Sequence, residues 1–504
     1  MWVQQIFRTG FFLTLLTFIL TGAKPRILSG KGPTRNVLFI FVDDLRPDLG
    51  CYGNSFVQSP NIDALAAKAV IFNRHYVVVP TCGASRAALL TGYRPRTKSD
   101  LSNEIMEREV SRVTTDKGSS GTFIGHFRRN GYKTIGIGKV SHSADGYVYK
   151  YLEPRSDKQE LPGNWDEVLM DAGKWGTGWN AFFGYADGSN RNMLKGEVKP
   201  YEAADVSDEG YPDGLTAKLA VNKLAELAAN GKPFFLGVGF YKPHLPFNAP
   251  QKYWDLYDES SLPISAMPDL PVNVHRESLQ ESGEFGSYKN GEEKASLDRR
   301  VSDAYSRKLR HGYYACVSYM DAQVGKLLDK LKETGLDKNT IVVLWGDHGW
   351  HLGDDRVWGK HTLSEWSLRS PLIVKLPGSQ KGSISDNIIS SVDIYPTIMD
   401  LCGIKSPENI DGKSHAEMIK RNARSKKDQV AYSYYNNGIT CRTDRYRLTR
   451  YYRKSEPVLE LYDYLKDPNE TRNIANDNPE VVQKLLPLLE KGNTGIYTTV
   501  GGKD

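Results

Sequence analysis

Six consecutive apolar residues, Val37 to Val42, run without alternation and end on Asp43-Asp44. A run of that length with no period of two fits a strand buried on both faces of a parallel sheet. The pattern returns downstream. Tyr132 to Ile137 leads into Gly138-Lys139-Val140-Ser141-His142, Pro233 to Phe240 into Tyr241-Lys242-Pro243-His244, and Thr340 to Trp345 into Gly346-Asp347-His348-Gly349. Ser370-Pro371 opens another such strand through Leu376. Between these strands the period changes to that of helices. Ser59-Pro60-Asn61 caps a helix with Ile62, Leu65, Ala66, Ala69 and Val70 on one face. Further helices are predicted from Thr122 to Asn130, from Leu215 to Ala229, from Ser302 to Lys332 with Tyr313, Val317, Met320 and Val324 inward, and from Asp393 to Leu401. Strands alternating with helices predict an α/β fold: a large mixed, mostly parallel sheet sandwiched by helices. Ligands of such sheets gather beyond the carboxyl ends of the strands, which is where the polar residues sit.

After Ser414 the character changes. Lys and Arg cluster at 420 to 427, Val430 to Tyr435 and Tyr446 to Tyr452 read as strands, and Pro479 to Lys491 reads as a last helix. At the other end, Arg8 precedes an apolar run from Phe11 to Leu20 and the small residues Thr21-Gly22-Ala23, the layout of an export signal over residues 1–23. That run is short for a bilayer, which takes about 20 apolar residues, so no stable membrane insertion is expected and the protein is read as exported, periplasmic or secreted. Two stretches lack a period. Tyr147 to Tyr211 is rich in aromatics, including Trp165, Trp175 and Trp179, which suits either stacking on sugar rings or loop packing. Pro271 to Arg300 is charged and polar, and reads as a surface loop or mobile excursion.

Composition narrows the picture. A hydrophobic content of 39% in 504 residues is ample for a large core. The net charge of +6, with no long basic run, gives no support to nucleic-acid binding. Five cysteines, Cys51, Cys82, Cys316, Cys402 and Cys441, are too few and too scattered for a disulfide scaffold or a zinc site. Their odd number leaves at least one outside any intramolecular pairing, and Cys82 is the candidate.

Cys82 stands just before a short helical run, Ser85 to Thr91, that Gly92 is suited to stop. The start of a helix presents free amides and partial positive charge, a setting for an anionic group. Asp43 and Asp44 would repel one another unless a cation or donors lay between them.

Together these motifs resemble a known family. Cys82-Gly83-Ala84-Ser85-Arg86 with Leu90-Thr91-Gly92, Asp43-Asp44 after the first strand, the Ser59-Pro60-Asn61 helix, Lys139 with His142, Lys242-Pro243-His244 with Pro246-Phe247, Asp347-His348, Lys360 and Asp411-Gly412 follow the order found in type I sulfatases of the alkaline phosphatase superfamily. The pattern is nearest to iduronate-2-sulfatase-like members, with Ala84 where proline is commoner. The resemblance implies a sulfuric ester hydrolase acting on a sulfated oligosaccharide or polysaccharide. It implies that Cys82 is oxidised to formylglycine (3-oxoalanine) by a formylglycine-generating enzyme or a radical sulfatase-maturating enzyme. It implies Ca²⁺, or Mg²⁺, on Asp43, Asp44, Asp347, His348 and residue 82, with Arg86, Lys139, His142, His244 and Lys360 in catalysis. Lys242, Trp350 and His361 are the implied substrate contacts. The catalytic domain is placed at 33–414 and a smaller C-terminal subdomain, an antiparallel sheet plus helix, at 415–504. A phosphodiesterase or phosphonate monoester hydrolase of the same superfamily and a non-catalytic glycan-binding relative are the alternatives.

Overall fold

The Val37 run lies in the middle of a sheet. The structure, a computed structural model, describes residues 35–107, 121–421, 429–453 and 456–497. The export segment 1–23 and most of the basic cluster at 420–427 lie outside the described residues. The main sheet has eight strands: β1 (Asn36–Val42), β2 (Val70–Tyr76), β3 (Lys133–Gly138), β4 (Glu167–Leu169), β5 (Phe234–Phe240), β6 (Thr340–Gly346), β7 (Leu372–Lys375) and β8 (Ser383–Ser390). Their spatial order is β8-β2-β7-β6-β1-β5-β3-β4. β1 pairs in parallel with β5 on one side and β6 on the other, Phe39 lying opposite Gly237 and Val343. Strand β7 runs antiparallel to both its neighbours, β2 and β6. The sheet is mixed and mostly parallel, as the apolar runs predict.

Among the described residues, seven helices have seven residues or more: α1 (Pro60–Ala66), α2 (Cys82–Thr91), α3 (Phe123–Arg129), α4 (Pro212–Asn230), α5 (Asp303–Glu333), α6 (Ile394–Leu401) and α7 (Pro479–Glu490). Every position of β1 is buried, and its alternate side chains serve two cores. Leu38, Ile40 and Val42 pack with residues of α1, α4 and α5. Val37, Phe39 and Phe41 pack with residues of α2, α3, α6 and α7. This two-sided burial is why the run carries no polar alternation.

Some boundaries differ from the expectation. Cys82 is the first residue of α2, with Thr81 as its N-cap, instead of standing before the helix; Gly92, at φ 74°, closes it by donating its N–H to the Ala88 carbonyl. Val70, expected on the α1 face, opens β2, because Val70, Ile71 and Phe72 find ladder partners in β7 and β8. β8 has no clear apolar period and is invisible to pattern reading.

A second sheet follows in the C-terminal part, antiparallel throughout: β9 (Ala431–Tyr435), β10 (Gly438–Arg442), β11 (Tyr446–Tyr451) and β12 (Val458–Asp463). α7 adds Val482, Leu485 and Leu489 to the core that Ile439 and Leu448 share with α2. Hydrogen bonds tie this sheet to the chain just before α2, the Tyr434 N–H donating to the Val78 carbonyl at 2.8 Å and Ser433 Oγ to the Val77 carbonyl at 2.6 Å.

One close approach positions the carboxyl ends of β3 and β5. A Cβ at Gly239 in β5 would stand 2.0 Å from the carbonyl oxygen of Lys139, so the chain leaving β3 crosses directly against β5. Gly239→Ala is expected to cost about 1–3 kcal/mol through this overlap and to displace Lys139; an unchanged urea midpoint would contradict it.

Candidate active site

Four neighbouring parallel strands and one helix end deliver the predicted residues to one place. β1 ends in Asp43-Asp44, β3 in Lys139 and His142, β5 in Lys242 and His244, β6 in Asp347-His348, and α2 supplies Cys82, Ser85 and Arg86. At the bottom lies Arg86, fully buried. Its Nε and Nη2 donate to Asp347 Oδ2 at 3.1 and 3.0 Å, Nη2 also meets Asp43 Oδ1 at 3.2 Å, and Nη1 donates to the carbonyls of Lys139 and Val140. Lys139 Nζ stands 2.6 Å from Asp43 Oδ2. Burial alone would push the Asp43 carboxyl up, but Lys139, His244 and Arg86 outweigh it and hold it well below the usual carboxylate range. Asp44 goes the other way. Burial, with Asp43 and Cys82 adding to it, pushes its carboxyl well above that range despite Lys360 and His348.

Asp44 is held in the left-handed region at φ 57°, donating its N–H to Asp347 Oδ1 at 3.0 Å and accepting from Tyr313 Oη at 2.8 Å. Its Oδ1 accepts from Lys360 Nζ at 2.8 Å, while Oδ2 is buried and makes no hydrogen bond. His348 Nε2 lies 3.3 Å from Cys82 Sγ and 3.4 Å from Asp44 Oδ1. Ligand atoms of Asp44, Cys82 and His348 all fall within 4.8 Å of one another, and so do those of Asp43, Cys82 and Asp347. Three carboxylates in contact, one with an orphaned buried oxygen, fit a hard cation, which prefers oxygen donors. The Cys82 thiol, 4% exposed, is pushed up to about 12 by burial.

Opposite this cluster stands a histidine with a partner that sequence reading missed. His244 Nδ1 lies 2.6 Å from the Leu245 carbonyl, an acceptor, so Nδ1 carries the proton. Nε2 is 2.7 Å from Glu284 Oε1 and 3.7 Å from Asp44 Oδ2. Lys360 Nζ also reaches Glu284 Oε2 at 3.2 Å. Burial would raise the Glu284 carboxyl, but Lys360 and His244 hold it well below its usual range. Glu284 belongs to the stretch expected to be a surface loop. Instead that stretch docks on the site: Gln280 Nε2 donates to the Lys360 carbonyl at 2.6 Å, Ser282 Oγ accepts the Trp358 N–H at 2.9 Å, and Phe285, Tyr288 and Leu297 are buried. These sparse apolar anchors are the signal for docking, diluted among Glu, Lys and Ser.

The remaining candidates take different places. Lys242 turns its ammonium onto the carbonyls of His244 and Pro246 at 3.1 and 2.5 Å and is sealed from solvent, a brace for the His244 loop. Trp350 is buried beneath Lys360, whose Nζ lies 5.1 Å from the ring centroid. His361, half-buried at φ 70°, stacks on Tyr435 of β9 at 5.4 Å; burial and Lys360 lower its pKa to about 3. His142 sits 5.5 Å from Trp179, with Nδ1 buried and making no hydrogen bond. Burial, then Lys139, lowers its pKa well below the ordinary imidazole value. It lines a cavity of about 290 Å³ with Asn103, Tyr149 and Trp179. Trp165, Trp175 and Trp179 are buried, which decides for loop packing over sugar stacking at those three positions. Phe182, from the same stretch, packs on the Lys139 ammonium at 4.1 Å and on the His244 ring at 4.4 Å.

This chain matches the family model described as "Sulfatase" over residues 35–404. It belongs to the sulfatase family. The model described as "N-sulphoglucosamine sulphohydrolase, C-terminal" matches residues 346–493. Among curated relatives of this sulfatase, a sulfatase of Formosa agariphila is 31% identical, the match covering 91% of this chain and 87% of the relative. The iduronate 2-sulfatase of Mus musculus is 30% identical over 76% of this chain and 72% of its own. Among solved structures, BT4656 in complex with its substrate D-glucosamine-2-N,6-O-disulfate superposes with a TM-score of 0.67 at 22% identity, covering 92% of this chain and 98% of that one. A phosphonate monoester hydrolase from Silicibacter pomeroyi gives 0.69 at 24% identity, covering 92% and 96%. At these identities the structural likeness speaks for the fold. The family and the sulfatase relatives make the protein a sulfuric ester hydrolase.

Two predictions test the electrostatics. Arg86→Met leaves Asp43 and Asp347 without their guanidinium, and a loss of about 3–5 kcal/mol in urea unfolding is expected. Away from the metal candidates, His75 sits between the Ser370 carbonyl and Ser391 Oγ, and His351 between the Asp354 carbonyl and Thr362 Oγ1; burial lowers both to about 4. Unfolded, both titrate at the ordinary 6.5, so as pH falls the unfolded chain takes up protons first. Stability is therefore full above that value, falls by about 1.4 kcal/mol per pH unit for each histidine, and levels off below the folded pKa. Urea midpoints across the window should show this slope, and His75→Gln should remove one share of it.

Proposed function

We propose that the protein removes sulfate from a sulfated carbohydrate, as an exo-acting, iduronate-2-sulfatase-like enzyme on glycosaminoglycan or algal polysaccharide fragments, through a formylglycine made from Cys82. The observation that carries this reading is the placement of Cys82 at the first turn of α2, its Sγ 3.3 Å from His348 Nε2 and ringed by the three carboxylates, Lys139 and Lys360. Relatives named iduronate 2-sulfatase and ulvan-active sulfatase support the sulfated-sugar class.

Asp43, Asp44, Asp347, His348 and the residue-82 oxygen, for which Sγ stands in, would hold Ca²⁺, with Mg²⁺ the alternative, and the ion would supply positive charge against the sulfate oxygens. Formylglycine at residue 82 would supply a hydrated aldehyde as nucleophile toward sulfur, with a second hydroxyl through which sulfate leaves. The chain's own groups do the rest. Lys139 and Lys360, buried ammoniums on either side of Cys82, hold the sulfate oxygens and stabilise charge as the ester bond breaks. Arg86 has spent its donors on acids and carbonyls, so it fixes the geometry of Asp43 and Asp347 rather than touching sulfate. His244, anchored through Nδ1, can act as proton donor to the departing sugar oxygen once Nε2 takes up a second proton beside Glu284, against the burial that lowers its pKa to about 4; the Lys360 ammonium is the alternative donor. His142, kept neutral by burial and Lys139, offers a ring nitrogen as proton acceptor for the release step. Residues 1–23 would direct export, with 33–414 as the catalytic domain and 415–504 as the C-terminal subdomain.

Phosphonate monoester hydrolases share the fold, so the assay must separate the chemistries. Protein co-expressed with a maturation enzyme is expected to show formylglycine at residue 82 by peptide mass spectrometry and to release sulfate from a panel of sulfated oligosaccharides faster than it cleaves phosphonate monoesters or phosphate diesters. Cys82→Ala should bring sulfate release to background. An intact thiol in native protein that still binds the sugars would sink the catalytic reading, and preferred turnover of phosphorus esters would sink the sulfate one.

A further inference from the structure

Arg86, Lys139 and Lys360 are each paired with carboxylates. Arg191, at the rim of the same site, is not: among the described residues no carboxylate pairs with its guanidinium. Nη1 donates to Ser287 Oγ at 3.1 Å, and Nε and Nη2 lie 3.4 Å from Asn192 Oδ1. These neutral acceptors hold the group without cancelling its charge. The guanidinium lies 3.7 Å from the Phe183 ring centroid and 5.2 Å from that of Tyr288. Two aromatic faces fix its plane before any ligand arrives, which lowers the ordering cost of binding.

Its position is set by the site's own residues. The Phe183 ring lies 6.2 Å from the His244 ring, so one aromatic ring separates Arg191 from the proposed proton donor to the sugar oxygen. Tyr288 follows Glu284 in the docked segment that reaches His244 and Lys360. Above them, half-exposed Tyr151 packs edge-on against Trp179 at 4.9 Å and Phe183 at 5.4 Å. Tyr151 also lines the cavity that His142 faces.

We propose that Arg191 receives a second anionic group, a carboxylate or a second sulfate, on the same sugar whose sulfate ester is cleaved, so that the substrate class is a polyanionic sugar. This rests on the sulfated-carbohydrate reading above. A planar guanidinium forms two parallel hydrogen bonds with either anion, and an uncompensated one fixed across a single aromatic ring from His244 selects a sugar that carries both groups.

The test compares kcat/KM for sulfate release from three probes by protein with confirmed formylglycine. They are the methyl glycoside of a 2-sulfated hexuronic acid, its carboxyl-reduced counterpart, and a disulfated neutral hexoside. The wild type should prefer one dianionic probe over the singly charged one, and the preferred probe tells carboxylate from second sulfate. Arg191→Met, which keeps an apolar stem against Phe183 and Tyr288, should reduce that preference by about 10- to 100-fold, chiefly through KM. Arg191→Lys, which keeps the charge and loses the fork, should retain part of it, and carries the test where the methionine variant does not fold. A preference that survives both substitutions, an equal loss on all three probes, or a wild type without any preference overturns the assignment. A wild type that releases no sulfate from any probe instead fails the carbohydrate reading itself, and the inference falls with it.

Discussion

A buried guanidinium is the constraint on which the rest of the site depends. Arg86 is fully enclosed, and it joins the ends of two strands, β1 and β6, by holding Asp43 and Asp347 at once. Desolvating three such charges is tolerable only because every donor of the guanidinium finds an acceptor. The arrangement above it follows. While Lys139, His244 and Arg86 hold the Asp43 carboxyl low, burial pushes the next carboxylate, Asp44, up, and it leans on Lys360 while one oxygen stays orphaned. Asp43, Asp44, Asp347 and Glu284 face Arg86, Lys139 and Lys360, so acids outnumber permanent cations. That imbalance makes the cluster receptive to a hard cation.

The fold was legible where burial is two-sided. β1, β5 and β6 lie between neighbours and read as apolar runs broken only by glycines in β5, and the polar residues that follow β1, β3 and β6 reach the site because the topology brings those strand ends together. β2 and β8, at and near the sheet edge, carry Asn73, Arg74, Asp386 and Asn387, and polar residues on an edge erase the pattern. Side-chain direction is a different kind of information. Nothing in Lys242-Pro243-His244 tells that the lysine turns onto local carbonyls while the histidine faces the acids, because both follow from how the loop folds back on itself. Glu284 was hidden for a related reason. Its neighbours Glu277 and Glu281 are chemically identical to it, and only tertiary docking, through Phe285 and Gln280, singles out one carboxylate for the site.

The C-terminal sheet is also bound up with the chemistry. Tyr435 of β9 stacks on His361, the residue after Lys360, and Glu365, a few residues on, bonds Tyr76 at the end of β2 and meets Arg442 of β10. The loop that carries a buried lysine to Asp44 is thus gripped from both sheets. Changes far along the chain can therefore reach the Lys360 loop through contacts a single residue deep.

Burial of Cys82 sets a limit in time as well as in space. All ten residues of α2 are inside the protein, Gly83 is bonded to Asn103, and the thiol touches His348. A macromolecular catalyst must draw several residues of its target into its own cleft, and this segment has none to lend once the sheet has closed over it. Any enzymatic alteration of residue 82 therefore belongs to the life of the chain before it folds. A preparation of the folded protein would then be a fixed mixture, its competent fraction decided during synthesis and beyond replenishment afterwards.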